Sequence, residues 1–437
     1  MQFISTRNAE KRLNFSQTIL DCMPPDGGMY VPANEENLRP WILYMNETTS
    51  FQGIAGTLTS ALLKEELSPV VSERIAAKAF PFSPKLKKLS GHLYSLELYH
   101  GPTGADGDFG ISYLASCLEH ILIMQDRDAV IISAVSDDTP GVCVATALRD
   151  KKRLNAILLY PKGTMKGLNE RDFIWNGGNV YPVEVNGPVE SCYRMMREIY
   201  ADRGFVSEYG LTLANTVNIG RLLPQTFFYM YAFAQLKKEA SGDIYYAMAA
   251  RNYGNLVAGL YGWKFSLPVN GFITDSSPAL GTDVTGRCLV LDSVVPIHTR
   301  AHADPVTPSN LERLEEVFAA HPVILRTMVF PAEVTEAKQA EAVKELFVKY
   351  GELTSPHTAS AYAAARARQD IVEEDDSSVV LISRTHPAFY ANILKVLCGE
   401  EPEMPDHIRK LYEPVTPKYK IEADISAVQD ILNEIRG

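Results

Sequence analysis

Apolar residues along this chain follow two rhythms. Over 51–80 they recur three or four residues apart, which predicts helix. From residue 93 onward, short β-rich apolar runs alternate with longer amphipathic ones. The runs 94–99, 129–134, 156–160, 180–185, 211–214, 244–248 and 379–382 read as strands. Between them, 109–124, 142–153, a long segment starting near Ile219, and 256–263 read as helices. Such alternation implies crossover connections and mostly parallel sheets. Ligands in open sheets of this kind bind beyond the carboxyl ends of the strands, so the loops after the strands are where chemistry is sought. Ahead of this part, Pro24, Pro25, Gly27 and Gly28 break the chain before Met29-Tyr30-Val31.

Composition narrows the picture. The chain has 437 residues, enough for two or three domains, with 46% hydrophobic and 22% charged residues, as in globular proteins. Its net charge of −11 leaves no basic excess for a nucleic acid. A small anionic or amino-acid ligand needs only a local cluster of donors and stays open as a partner. No long apolar run predicts a membrane span, and no signal peptide is read at the N-terminus. The six cysteines are scattered with no CxxC pair, which points to buried free thiols and a cytoplasmic location. Nine histidines without HxxxH or HExxH spacing, and a lone Asp106-Gly107-Asp108 without a third carboxylate, predict no metal. The acidic run Glu373-Glu374-Asp375-Asp376 reads as a solvated loop.

Several loops carry recognisable motifs. Ser5-Thr6-Arg7 and Asp26-Gly27-Gly28-Met29-Tyr30-Val31-Pro32 open the chain. Leu96-Glu97-Leu98-Tyr99-His100-Gly101-Pro102-Thr103 runs on through Gly104-Ala105-Asp106-Gly107-Asp108-Phe109. Then come Asn215-Thr216-Val217-Asn218-Ile219-Gly220-Arg221-Leu222-Leu223-Pro224-Gln225, Asn252-Tyr253-Gly254-Asn255, Pro308-Ser309-Asn310-Leu311-Glu312-Arg313-Leu314, His357-Thr358-Ala359 and Thr385-His386-Pro387-Ala388. In this order they resemble the threonine synthase family, whose members read LELFHGPTxAFKDF, NSINWARLLPQ, GNFGN and PSNFERL at the corresponding places. The resemblance implies an α/β fold of two lobes, the fold type II architecture of pyridoxal-phosphate enzymes, with mostly parallel sheets and an N-terminal segment. It suggests boundaries of 1–92 for that segment, 93–215 for a smaller lobe and 216–437 for a larger one. The implied reaction converts O-phospho-L-homoserine and water to L-threonine and phosphate. The implied cofactor contacts are Arg251, Asn252, Tyr253, Gly254, Asn255 and Thr385. The implied substrate contacts are Ser136, Asp137, Asp138, Thr139, Asn215 and Arg221. A small-residue loop that enters a helix also suits a phosphate on physical grounds, because it offers backbone N–H groups and the positive end of a dipole.

The departures cluster where the chemistry should be. Gly107 aligns with the lysine of FKDF, which holds pyridoxal phosphate as an imine and moves protons, work that needs a primary amine. The family's SGDTG loop becomes Ser136-Asp137-Asp138-Thr139-Pro140-Gly141, where Asp137 repels an anion and Pro140 has no N–H to donate. TGNFG becomes Ala250-Arg251-Asn252-Tyr253-Gly254, so Arg251 brings charge where glycine sat, to grip a phosphate or to pair with Asp106, Asp108 or Asp137. The usual GxFDD reads Asn186-Gly187-Pro188-Val189-Glu190-Ser191-Cys192. The expected reading is a threonine synthase-like protein that has lost lysine-based catalysis, with pyridoxal phosphate absent or held without a covalent bond, acting as a non-catalytic binder or regulator. The alternative is an active enzyme using a replacement lysine, Lys162 or Lys166.

Overall fold

The computed structural model describes residues 1–135, 139–166, 178–290, 297–369, 376–414 and 416–436. Two sheets organise them. The larger has six strands in the order Val329–Ala332, Gly271–Asp275, Ile244–Met248, Ser378–Ser383, Leu93–Glu97 and Lys85–Ser90. The first five run parallel, and Lys85–Ser90 folds back antiparallel on Leu93–Glu97. That edge strand carries Lys85, Lys87 and Lys88, which discourages pairing with another chain. The second sheet has five parallel strands in the order Tyr419–Glu422, Val180–Asn186, Leu154–Pro161, Ala129–Ala134 and Leu211–Thr212. Mostly parallel α/β architecture is thus the observed class, and the central strands read as unbroken apolar runs because both faces are covered.

Sheet membership interleaves along the chain. The strand Leu93–Glu97 pairs with Ser378–Ser383, while Tyr419–Glu422 returns from the far end to pair with Val180–Asn186. Hydrogen bonding, not sequence order, decides which body a strand joins.

The helical stretch 51–80 is two helices, Phe51–Leu62 and Pro69–Ala79. Ser50 and Ser68 cap them by accepting from Gly53 N–H and Val71 N–H, and Pro69 sits at the first helical position. The long helix expected from Ile219 is also two, Ile219–Leu222 and Gln225–Leu236, broken at Pro224. The first eighty residues are tied down by a three-stranded antiparallel sheet and by buried side chains such as Phe3, Phe15, Phe51 and Phe80. Among the described residues no helix is long and apolar enough to cross a membrane.

The opening motif and the one around residue 310 meet in space. Arg7 Nη2 lies 2.6 Å from Glu312 Oε1, and Thr6 Oγ1 donates to Glu312 Oε2 at 2.8 Å. Ser5 Oγ and Gly28 N–H both donate to Asp26 Oδ1. A Cβ on Gly28 would lie 2.7 Å from Thr6 Oγ1, so only glycine allows this approach. Arg313 lies at the centre, fully buried. Its Nε donates to Tyr30 O, its Nη1 to Thr216 O and Asn310 Oδ1, and its Nη2 to Val217 O.

Candidate functional site

The carboxyl ends of three adjacent strands in the six-stranded sheet lead into segments that lie together. Arg251 follows Ile244–Met248, Arg384 follows Ser378–Ser383, and the segment 98–106 follows Leu93–Glu97. That last segment leads into the long helix Gly107–Gln125, so Gly107 is its first residue and is buried. A Cβ built on Gly107 would stand 2.9 Å from Cys143 Sγ and 3.6 Å from Arg221 Nη2. A side chain at this position would require the Cys143 thiol to shift.

Around Gly107 lies a chain of polar groups. Thr103 donates its N–H to Asp108 Oδ2 at 2.8 Å and its hydroxyl to Asp108 Oδ1 at 2.7 Å. Thr103 Oγ1 is also 2.8 Å from Cys143 Sγ. Burial raises Asp108 to about 6, although the Thr103 hydrogen bonds oppose it; neighbouring Asp106 adds to the rise. Burial, with Asp108 beside it, pushes the Cys143 thiol well above the usual thiol range, so it stays protonated.

Asp106 behaves differently. Burial works against its charge, but Arg384 overrides that, with Arg221 and Arg251 contributing, and its carboxyl is held below the usual range. Arg384 Nε donates to Asp106 Oδ2 at 2.8 Å and Nη2 to Oδ1 at 3.3 Å, a two-pronged ion pair. Arg251, expected to grip a phosphate or to pair with Asp106, Asp108 or Asp137, acts on Asp106 through its charge, and Arg384 forms an ion pair with the same carboxylate. Arg384 was not singled out in the sequence; its position directly after an apolar strand run was the available signal. Arg221, buried in the short helix Ile219–Leu222, has an Nη1 with no hydrogen-bond partner among the described residues. Burial, with Arg251 and Arg384 close by, lowers His357 to about 4, so it is a neutral imidazole at neutral pH.

The loop 250–255 enters a helix, Gly254–Lys264, as expected. Arg251 and Tyr253 both have positive φ, 42° and 61°, a turn conformation that side chains adopt at some cost. Ala250 N–H donates to Asp275 Oδ1, and Asn252 Oδ1 accepts from Gly254 N–H at 3.2 Å. Tyr253 OH is 2.7 Å from Ser277 Oγ, and Asn255 Nδ2 donates to Gln225 Oε1. The loop meets the Arg221 segment, since a Cβ on Gly254 would lie 3.7 Å from Leu222 Cδ1. Thr385 contributes a backbone bridge to Ala105. Asn215 holds a turn, accepting from Val217 N–H at 3.0 Å and donating to Pro305 O. Ser136, Asp137 and Asp138 lie outside the described residues, and Thr139 begins the helix Thr139–Leu148. Lys162 is exposed, with Nζ 3.2 Å from Asn186 Oδ1, and Lys166 O accepts from Tyr160 OH. Among the described residues no cluster of three or more His, Cys, Asp or Glu side chains is arranged to hold a metal.

With this geometry in view, comparison with known proteins is informative. The family model for the threonine synthase N terminus matches residues 2–80. The chain is 29% identical to a threonine synthase of Haemophilus influenzae over 416 residues, 94% of each protein. The crystal structure of threonine synthase from Escherichia coli superposes with a TM-score of 0.78 at 25% identity, covering 100% of both chains. The structure of PLP-bound threonine synthase from Brucella melitensis superposes with a TM-score of 0.81 at 21% identity over 99% of each chain, a likeness of fold. In sequence along almost its whole length, and in fold, the chain is threonine synthase-like.

Proposed function

We propose that this threonine synthase-like chain does not carry out lysine-based pyridoxal-phosphate catalysis and instead binds a small anionic or amino-acid ligand, as a regulator. The observation that carries the reading is the surroundings of Gly107. A lysine there is what the motif resemblance calls for, and this chain offers a glycine whose side-chain volume is closed by Cys143 Sγ at 2.9 Å. An imine link needs a primary amine. Among the described residues, the groups placed around Gly107 are a thiol, a hydroxyl, two carboxyls and guanidiniums, and none of these can form one. These residues do not fit covalently held pyridoxal phosphate.

Charge supports the binding half of the reading. Arg221, Arg251 and Arg384 all act on Asp106, Arg221 also acts on Asp108, and burial raises Asp108 to about 6. The balance is positive, which suits an anion. The test is an absorption spectrum of the purified wild type followed by borohydride reduction in the presence of pyridoxal phosphate. The expected result is no reduced cofactor on the protein; stoichiometric trapping overturns the reading.

A further inference from the structure

The motif His386-Pro387-Ala388 and the segment 405–414 meet at the turn that leads to Gly107. That segment holds a short helix, Asp406–Arg409, and a 3-10 turn, Lys410–Tyr412. Its Ile408 is buried against Gly104, where a Cβ would lie 2.7 Å from Ile408 Cδ1 and 3.2 Å from Phe389 Cε2. Gly104 has a φ of 74°, so glycine both takes this turn and leaves room for Ile408. The Tyr412 ring stands edge-on to Phe389, with 5.4 Å between centroids. Further on, Pro414 bridges to Lys166, which follows the second-sheet strand Leu154–Pro161. The segment therefore runs from the loops of the larger sheet to the second sheet.

Phe389 is carried by a single 3-10 turn, Pro387–Tyr390. His386 caps that turn, its Nδ1 accepting from Ala388 N–H at 3.2 Å. A ring nitrogen accepts only when it carries no proton, so this cap exists only with Nδ1 unprotonated. His386 is half-buried, with Tyr99 edge-on at 5.4 Å. The titratable groups acting on it are Glu97 and His100, which lie 2.6 Å apart, and His407 of the helix Asp406–Arg409. On that helix Asp406 and Arg409 pair with each other at 2.9 Å, and Arg384, two residues before His386, is paired with Asp106. Burial lowers His386 below the usual histidine value of 6.5; His100 and His407 add to this, and Glu97 works the other way.

We infer that residues 405–414 are a strap on the turn before Gly107, latched by His386, and that a proton on His386 Nδ1 unlatches it. The proton turns the acceptor into a donor that faces Ala388 N–H, and the turn carrying Phe389 loses its cap. Phe389 flanks Ile408 at Gly104 and packs on Tyr412, so both apolar contacts of the strap weaken together. The folded chain binds this proton less readily than the unfolded one. The latch's contribution is therefore fully present above pH 6.5 and is lost as pH falls below it. Unlatching bares the turn 101–104, beside Asp106 and Gly107, to solvent. The inference does not depend on what binds there.

Hydrogen exchange of the full chain, read by mass spectrometry at pH 7 and pH 5 and corrected for the intrinsic rate at each pH, tests the latch. Wild-type peptides covering 98–106 and 405–414 should lose about tenfold in protection at pH 5, the scale of one helix cap, while the central strands keep theirs. His386→Asn puts an amide oxygen where Nδ1 stood, which caps but takes no proton, so these peptides should stay protected at both pH values. His386→Ala has no cap, and they should be open at both. Asp108 also titrates in this window and holds the turn through Thr103, but it is the same in all three proteins and cannot make them differ. Equal wild-type protection at both pH values overturns the inference. So does H386N that loosens like the wild type, or H386A that stays closed at pH 7. Loss of protection throughout the wild-type chain at pH 5 overturns it too, because the response is then not local. If H386A does not fold, the contrast between wild type and H386N decides alone. Borohydride trapping, which tests the absence of lysine chemistry, leaves this result untouched, so the two readings fail separately.

Discussion

Two buried arginine centres in this molecule are built on opposite plans. Among the described residues Arg313 has no carboxylate on its guanidinium, yet each of its nitrogens finds an oxygen, on Tyr30, Thr216, Val217 and Asn310. Burial lowers it to about 10, still charged at neutral pH. Arg221 is buried too, but its Nη1 finds no partner among the described residues, and its charge is answered by Asp106, which it shares with Arg384, and by Asp108. The first centre is a finished joint between the N-terminal segment and the residues around 216 and 310. The second is unfinished, and lies where strands of the larger sheet end. Complete satisfaction of a buried polar group marks structure; incomplete satisfaction in a crevice marks a place for something else.

The largest effect should come from breaking the finished joint. Arg313→Ala leaves the carbonyls of Tyr30, Thr216 and Val217 without their donor and opens a cavity, at a cost of about 4 kcal/mol. Chemical denaturation should show a large drop in midpoint or no folded protein. A variant as stable as the wild type would erase the contrast between the centres.

Next comes the pH response of Asp108. Its folded carboxyl is raised to about 6 from the usual 3.8, so the folded state holds the proton more tightly than the unfolded chain. The contribution is fully present below pH 3.8 and is lost as pH rises through 6. Across that window wild-type stability should lose about 3 kcal/mol from this group, and Asp108→Asn should remove that component. The check is the difference between the melting profiles of wild type and D108N from pH 4 to pH 7; a flat difference counts against the buried thiol–hydroxyl–carboxyl chain.

Gly107→Lys should then destabilise by about 1–3 kcal/mol, because Cys143 Sγ must move. Adding Cys143→Ala should recover part of the loss, while threonine formation stays undetectable in both variants. Interactions that act as a unit are not restored by one member. Equal stability of the single and double variants would deny that the two side chains compete for one volume. The smallest effect is expected for Lys162→Ala, within about 0.5 kcal/mol and with no spectral change, since Lys162 is an exposed residue. A lost cofactor band in that variant would instead make it the replacement amine.

Much of the fold was legible because apolar runs report burial directly. The apolar runs at Ala129–Ala134 and Ile244–Met248 match the observed strand bounds, as largely buried parallel strands should. Tyr419–Glu422 was not read, because a four-residue edge strand with alternate exposed positions looks like a loop. The break at Pro224 and the restart at Ser68-Pro69 were both written in the sequence, but the apolar rhythm on either side overrode them. The site was half legible. Gly107 and the loop at 252–255 stood out by motif, whereas Arg384 and Cys143 gain meaning only from neighbours far along the chain. Arg384 meets Asp106 across 278 positions, and Cys143 meets Thr103 across 40. Nothing local in either stretch announces the meeting.

The strand order of the larger sheet has a consequence for how the molecule is made. Ser378–Ser383 is inserted between Ile244–Met248 and Leu93–Glu97, so an interior strand of that sheet is synthesised after both of its neighbours. During translation, two part-sheets must wait with open hydrogen-bonding edges that face each other across an empty slot. At ordinary elongation rates of about 5–20 residues per second, that wait lasts many seconds. A ribosome that stalls between residues 248 and 378 therefore releases a chain with exposed strand edges, the condition under which nascent proteins pair with the wrong partner. Chaperone demand for this protein should peak late in synthesis and fall once the missing strand has docked.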